Sequence, residues 1–351
     1  MKLNLQKSFF ADRENELLEY GEFKISAFRY ASGVEALSVA NKKCSFVFLP
    51  FLGQQIWHYC VDGKEMSMQT NVKEPIVSDV YLENYGGFLY HCGLGSMGAP
   101  DIDHPHHGEI PNDEYKSAYI ECGEDECGKY IALGGELVRD VAFIRGYKFR
   151  PQIKLYEGSA VFKIKVEIEN TRAYPLDYMY LCHINFAPID GAELIASTKY
   201  DADHITIYNT VQDDALLEYI ARLEKDLTIM NKVGAEGQVY DPELCFGIKY
   251  ESDENNRAYT MQYTQNGACF VSHPTDYLPY SIRWISRTKT EQSMGMVLPA
   301  TGEHLGYENA KAKGQIKQVA PNSTICFCIE AGYIEKNEAD ALKDKIDALV
   351  K

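Results

Sequence analysis

No stretch of this 351-residue sequence stays apolar for anything near the ~18 residues that a membrane-spanning helix needs. The first residues, Met1 to Phe10, run straight into Ala11-Asp12-Arg13-Glu14 without the apolar core of a secretory signal. A cytoplasmic protein that does not engage membranes is expected. Positive charge is also short: Lys and Arg number 35 against 51 Asp and Glu, a formal net charge of −16. Nucleic-acid binding needs a basic stripe that displaces counterions, and an anionic surface disfavours anionic lipids and highly charged anionic substrates. A neutral small molecule suits this balance better. Cysteine, at ten residues, is too sparse for a disulfide scaffold, and its scatter through apolar, strand-like segments reads as buried free thiols.

Two common catalytic signatures are missing as well. There is no Gly-x-Ser-x-Gly elbow, and no cysteine sits in an electropositive setting. The spacing Gly93-x-Gly95-x-x-Gly98 imitates a dinucleotide-binding fingerprint, but Ala99-Pro100-Asp101 follows it where a helix must begin.

Short β-like runs dominate what remains. Val34–Val39, Cys44–Leu49 and Gln55–Val61 are separated by turn residues, with Asp62-Gly63 as a hairpin signal. Along 160–169, Phe162, Ile164, Val166 and Ile168 alternate with Lys163, Lys165, Glu167 and Glu169, the pattern of a sheet with one buried and one wet face. Strand-like runs continue through 245–250, 258–263, 268–272, 281–285, 294–298 and 323–329. Helical periodicity is confined to 213–224 and to a C-terminal helix, with Asn337 as N-cap and Leu342, Ile346 and Leu349 on one face. Residues 1–20 read as a short arm or helix. The expectation is an all-β, mostly antiparallel large sandwich, one domain over 1–351, with its core at about 30–335 and a helix at 336–351.

Residues 62–115 break this rhythm, and a long stretch without periodicity inside a compact domain is usually functional. Within it, His104-Pro105-His106-His107-Gly108-Glu109 gathers three of the nine histidines. Pro105 and Pro111 exclude a helix, so this is a polar loop. Farther on, alternation in 176–187 places His183 on the same side as Met179, Leu181 and Asn185. A single histidine there is either a satisfied core residue or a site residue. The residues leave two chemistries open. His104-x-His106 with nearby acids suggests a cupin-like metal site, although Pro105 and the spacing to Glu109 fit it poorly. Acid–base work on a neutral substrate needs imidazoles, a carboxylate and an aromatic wall; His107, His183 and a carboxylate from late in the chain would suffice.

Gly86-Gly87, Cys92-Gly93-Leu94, Gly98-x-Pro100, His107-Gly108 followed by Asn112, His183-x-Asn185-Phe186 and Gly295-x-x-x-Pro299-Ala300-Thr301 occur in that order. Together they resemble the galactose-mutarotase-like superfamily, in particular its aldose 1-epimerase-related branch of uncertain substrate. The resemblance implies a β-supersandwich with a sugar groove, no cofactor and a small-molecule sugar as partner. It implies two histidines, matched by His107 and His183, and a late glutamate as general base. It implies further that the histidine matched by His183 protonates the ring oxygen. Where relatives read Glu-Pro this chain has Leu298-Pro299, so Glu303 is the expected substitute base. His104, His106, Glu109, Asn112, Asn185, Arg283 and Trp284 are the expected substrate contacts. The alternatives are a carbohydrate-binding protein without catalysis and the cupin-like metal protein. Oligomeric state is not specified by the sequence.

Overall fold

The structure, a computed structural model, describes residues 1–208, 214–234 and 239–351, apart from the side chain of Ala215. Asp213, where the interior helix was expected to start, lies outside the described residues. The helix itself spans Asp214–Leu223.

Among the described residues the strands form a nine-stranded and a thirteen-stranded sheet, and every named strand pair is antiparallel. The alternating sequence at 160–169 shows why the sheets pack. In the strand Ala160–Asn170, Phe162, Ile164, Val166 and Ile168 are fully buried against the larger sheet. The charged side chains face outward, where Arg150 binds Glu167 at 2.8 Å and Glu169 at 2.6 Å. Phe162 crosses the layer to meet Phe46 and Tyr59 of the larger sheet, with ring centroids 5.0 Å away in each case. The expected hairpin also forms: Gln55–Val61 pairs with Lys64–Glu65, and Asp62 and Gly63 both have positive φ, as a type I′ turn requires.

The larger sheet carries a second core on its outer face, where Trp57, Tyr81, Tyr90, Met97, Leu181 and Leu298 pack beneath long loops. It is thus covered on both sides. That explains the strand Leu89–Leu94, in which all six residues are buried and no alternation shows. The sequence pattern there reads as loop because neither face is wet.

The C-terminal helix is Lys336–Leu349. Ala339 and Ile346 are buried, and Leu342 and Leu349 pack with them against the strand residues Ile195, Met261 and Phe270. Its N-cap is Glu335 rather than Asn337, because Glu335 and Glu338 satisfy each other's backbone amides in a capping box. The first twenty residues are strands Lys2–Asn4 and Asn15–Tyr20 around a 3₁₀ turn, not a helix; Lys2–Asn4 extends the smaller sheet beside Ser117–Asp125. All ten cysteines are free thiols, but Cys127 and Cys326 are exposed, so not every one is a core residue. No helix among the described residues is long and apolar enough to cross a membrane.

Phe162→Ala empties the centre of the inter-sheet layer and is expected to cost about 3–5 kcal/mol. Urea unfolding should show a lower midpoint with an unchanged slope.

Candidate functional site

The cleft floor is built by four neighbouring strands of the larger sheet: Leu176–Ile184, Gln292–Ala300, Tyr280–Arg287 and Tyr240–Ile248. Leu181 pairs with Ala300, Leu298 with Ile282, and Trp284 with Cys245. Because strand direction alternates, the outward residues fall into two parallel diagonal rows. One row is polar, His183, Trp284 and Glu243. The other is apolar, Leu181, Leu298, Ile282 and Cys245. Both rows line a cleft of ≈ 230 Å³, room for one small ring rather than a chain.

The histidine loop closes one side. Its backbone is tied to the sheet: Gly93 N donates to His107 O at 2.9 Å, His107 N to Gly98 O at 3.0 Å, and Ile110 N to Gly93 O at 3.1 Å. Gly108, at φ +81°, lies so close that a Cβ would stand 2.1 Å from the Gly93 carbonyl oxygen. His107 itself holds φ +61°, a conformation that costs a non-glycine residue about 1 kcal/mol or more. The result sets its ring edge-on to His183, centroids 5.2 Å apart at 88°, with His106 stacked behind at 4.4 Å. Tyr81 packs 4.7 Å from His107, and Tyr85 lies 5.4 Å from His183 and 6.0 Å from Trp284. Tyr85 is positioned by the next turn: the Tyr90 hydroxyl accepts from Gly86 N and Gly87 N and donates to Asn84 O.

The protonation pattern follows from hydrogen bonding. Asn185 donates its amide Nδ2 to the Gly87 carbonyl at 3.1 Å, so its Oδ1 is the atom 2.8 Å from His183 Nδ1. An amide oxygen only accepts; Nδ1 therefore carries the proton and Nε2 is an unprotonated acceptor, 3.3 Å from the Tyr85 hydroxyl. Burial pushes the His183 imidazolium down to about 3, and neighbouring His106 adds to this. His107 is held well below the ordinary range by burial and by His183, His106 and His304 around it. Its Nδ1 is buried without a partner, so Nε2 is the nitrogen available to a ligand. Burial likewise raises the Tyr85 hydroxyl, which stays protonated. At neutral pH the cleft holds neutral imidazoles, and one carboxylate lines it among the described residues: Glu243, whose Oε2 accepts from Trp284 Nε1 at 2.6 Å.

Of the expected residues, His106, His107, His183 and Trp284 line the cleft. Asn185 lies behind His183 and orients it. Arg283 does not reach the cleft: it is 1 % exposed and donates to the Met296 and Met230 carbonyls on the opposite face. Glu303 lines a neighbouring depression with Tyr208 and Tyr280, and its carboxylate is bound to Lys313 at 2.6 Å. Glu109 accepts from Gly95 N and, at 2.7 Å, from the Tyr147 hydroxyl, anchoring the loop from beneath. Asn112 is held by Gln55, Asn84 and Ser78. His104 bonds Asp101 at 2.8 Å and stacks on Tyr307. Among the described residues no group of three or more His, Cys, Asp or Glu side chains is arranged to hold a metal ion. Glu243, His304, Tyr81 and Tyr85 were not anticipated. Glu243 shares the parity of Cys245 in its strand, which was the available signal.

A family described as a domain of unknown function, DUF4432, matches residues 31–331. No curated protein matches the chain in sequence. Among solved structures, a "putative aldose 1-epimerase" from Klebsiella pneumoniae is 18% identical, with 94% of this chain and 88% of that one covered, at a TM-score of 0.80. A galactose mutarotase-like protein from Clostridium acetobutylicum is 14% identical over 90% and 99% of the two chains, at 0.60. One from Lactobacillus casei is 10% identical over 85% and 100%, at 0.55.

Burial brings His91, His183 and His273 down to about 3, while an unfolded chain takes up these protons near 6.5. Between those values the unfolded state binds more protons. Stability is thus complete above about pH 6.5 and declines toward pH 3, by up to about 1.4 kcal/mol per pH unit for each histidine. Urea midpoints measured at pH 7.5, 6 and 5 should fall in that order; a constant midpoint would contradict the buried neutral imidazoles.

Proposed function

Since the chain belongs to the DUF4432 family and has the galactose mutarotase-like fold, we propose that its cleft binds a monosaccharide or close derivative and interconverts the anomers by acid–base ring opening. Glu243 carries this proposal. It supplies, from the Tyr240–Ile248 strand, the carboxylate that is missing at Leu298, and it is held by Trp284 across the floor from His183.

Glu243 accepts the proton of the anomeric hydroxyl. The C1–O1 bond becomes a carbonyl as the bond from C1 to the ring oxygen breaks, and the ring oxygen receives a proton. That proton comes from a group that carries one at neutral pH. The tautomer set by Asn185 gives His183 an unprotonated Nε2 beside the Tyr85 hydroxyl, suited to accept from a sugar hydroxyl. His107 Nε2, with Nδ1 sealed, is the donor to the ring oxygen. The neutral imidazole acts there as an electrophile: its N–H stabilises the negative charge developing on the ring oxygen, and on full transfer it is left as imidazolate until ring closure returns the proton to it. Rotation about the C1–C2 bond and closure on the other carbonyl face, with the proton transfers reversed, give the opposite anomer. Trp284 and Tyr85 offer aromatic surface to the sugar's C–H faces.

Leu298 also favours a second proposal, a sugar-binding protein without turnover. Saturation-transfer NMR of anomer exchange across a monosaccharide panel separates the two. In the enzyme, Glu243→Gln lowers the exchange rate on the order of 10²- to 10⁴-fold while sugar binding persists in calorimetry, and Glu303→Gln leaves the rate unchanged. An unchanged rate in Glu243→Gln removes Glu243 from the chemistry; binding heat without exchange in the unaltered protein selects the second proposal.

A further inference from the structure

We infer, on the basis of the sugar-binding cleft proposed above, that the preferred substrate is an uncharged deoxy-sugar, one that carries a methyl or methylene group where the parent sugar has a hydroxymethyl or hydroxyl. The apolar row of the floor points to this class. Leu181, Leu298 and Ile282 have no polar side-chain atom, and they occupy adjacent positions on neighbouring strands through the Leu298–Ile282 and Leu181–Ala300 pairs. Cys245 continues the row, and burial holds its thiol protonated, a weak donor. Although these side chains are nearly buried, all four line the cleft. A sugar hydroxyl pressed onto them loses its water and gains no partner, whereas a methyl or methylene group loses nothing.

The polar row fixes which way round the ring lies. The reacting end of the sugar belongs with Glu243, His107 and His183, so the edge on the other row lies away from the anomeric carbon. Charge excludes the anionic derivatives. No Lys or Arg lines the cleft among the described residues, its imidazoles are neutral, and Glu243 repels a phosphate or carboxylate. The cations near the histidine loop, Arg139 and Arg145, are already paired with Asp113 and Glu109.

The experiment compares matched sugars by saturation-transfer NMR, L-fucose against L-galactose and L-rhamnose against L-mannose, with a uronate and a sugar phosphate as anionic arms. Where a sugar binds without exchange, calorimetric affinity replaces kcat/KM. The expected result is a preference of roughly 10- to 100-fold for at least one deoxy member over its parent, and no use of the anionic arms. Leu298→Gln and Cys245→Ser, the second preserving volume, should each shrink that ratio in protein whose melting curve shows it folded. Parents equal to or better than their deoxy partners in both pairs, or preference for an anionic sugar, overturn the inference and leave the sugar-cleft proposal standing. Neither binding nor exchange with any sugar overturns both.

Discussion

A β-sheet covered on both faces gives each side chain one of two destinations, and this alternation decides which residues of the larger sheet can meet a ligand. In Leu176–Ile184 it sends Tyr178, Tyr180, Cys182 and Ile184 into the layer between the sheets, and Leu181 and His183 to the cleft. A slip of one residue in any of the four floor strands would exchange these sets and bury the site. The inter-sheet packing around Phe162 therefore holds the register on which the cleft depends, although no residue of that layer touches it.

The histidine loop is fixed in a different way. Its prolines and glycines leave Ile110 as its one residue in the main core, and its position comes mostly from backbone hydrogen bonds to Gly93 and Gly98 and from Glu109 beneath. The cleft wall is an extension of the sheet's hydrogen-bonding pattern. This is why the acids flanking the histidines serve as anchors: Glu109 and Asp101 spend their acceptor capacity on Gly95, Tyr147 and His104, while the carboxylate that lines the cleft, Glu243, comes from a strand far later in the chain.

The sandwich, the C-terminal helix and the side on which His183 points were legible because they follow from period-two and period-3.6 patterns. The galactose mutarotase-like fold was legible from the ordered glycine and histidine motifs. Glu243 is hard to see in sequence because Pro242 precedes it: proline ordinarily marks a strand's edge or end, so the apolar pattern shows the strand only from Cys245 onward and leaves out this cleft carboxylate. Arg283 and Trp284 are consecutive residues of one strand, and the pleat alone forbids both from lining one face; the parity of Ile282 selects Trp284. Glu303 and its neighbour His304 show the limit of proximity in sequence. The loop brings the imidazole to the cleft and turns the carboxylate to Lys313, a choice made by tertiary partners.

The left-handed backbone at His107 sets local and tertiary preferences against each other at one residue. Glycine or asparagine would occupy that conformation with less backbone strain, whereas the buried ring's contacts favour the imidazole. An imidazole there rests on its buried ring contacts rather than on local backbone preference. Residue 107 is thus the point where the loop's backbone and the cleft's wall make opposite demands on one side chain.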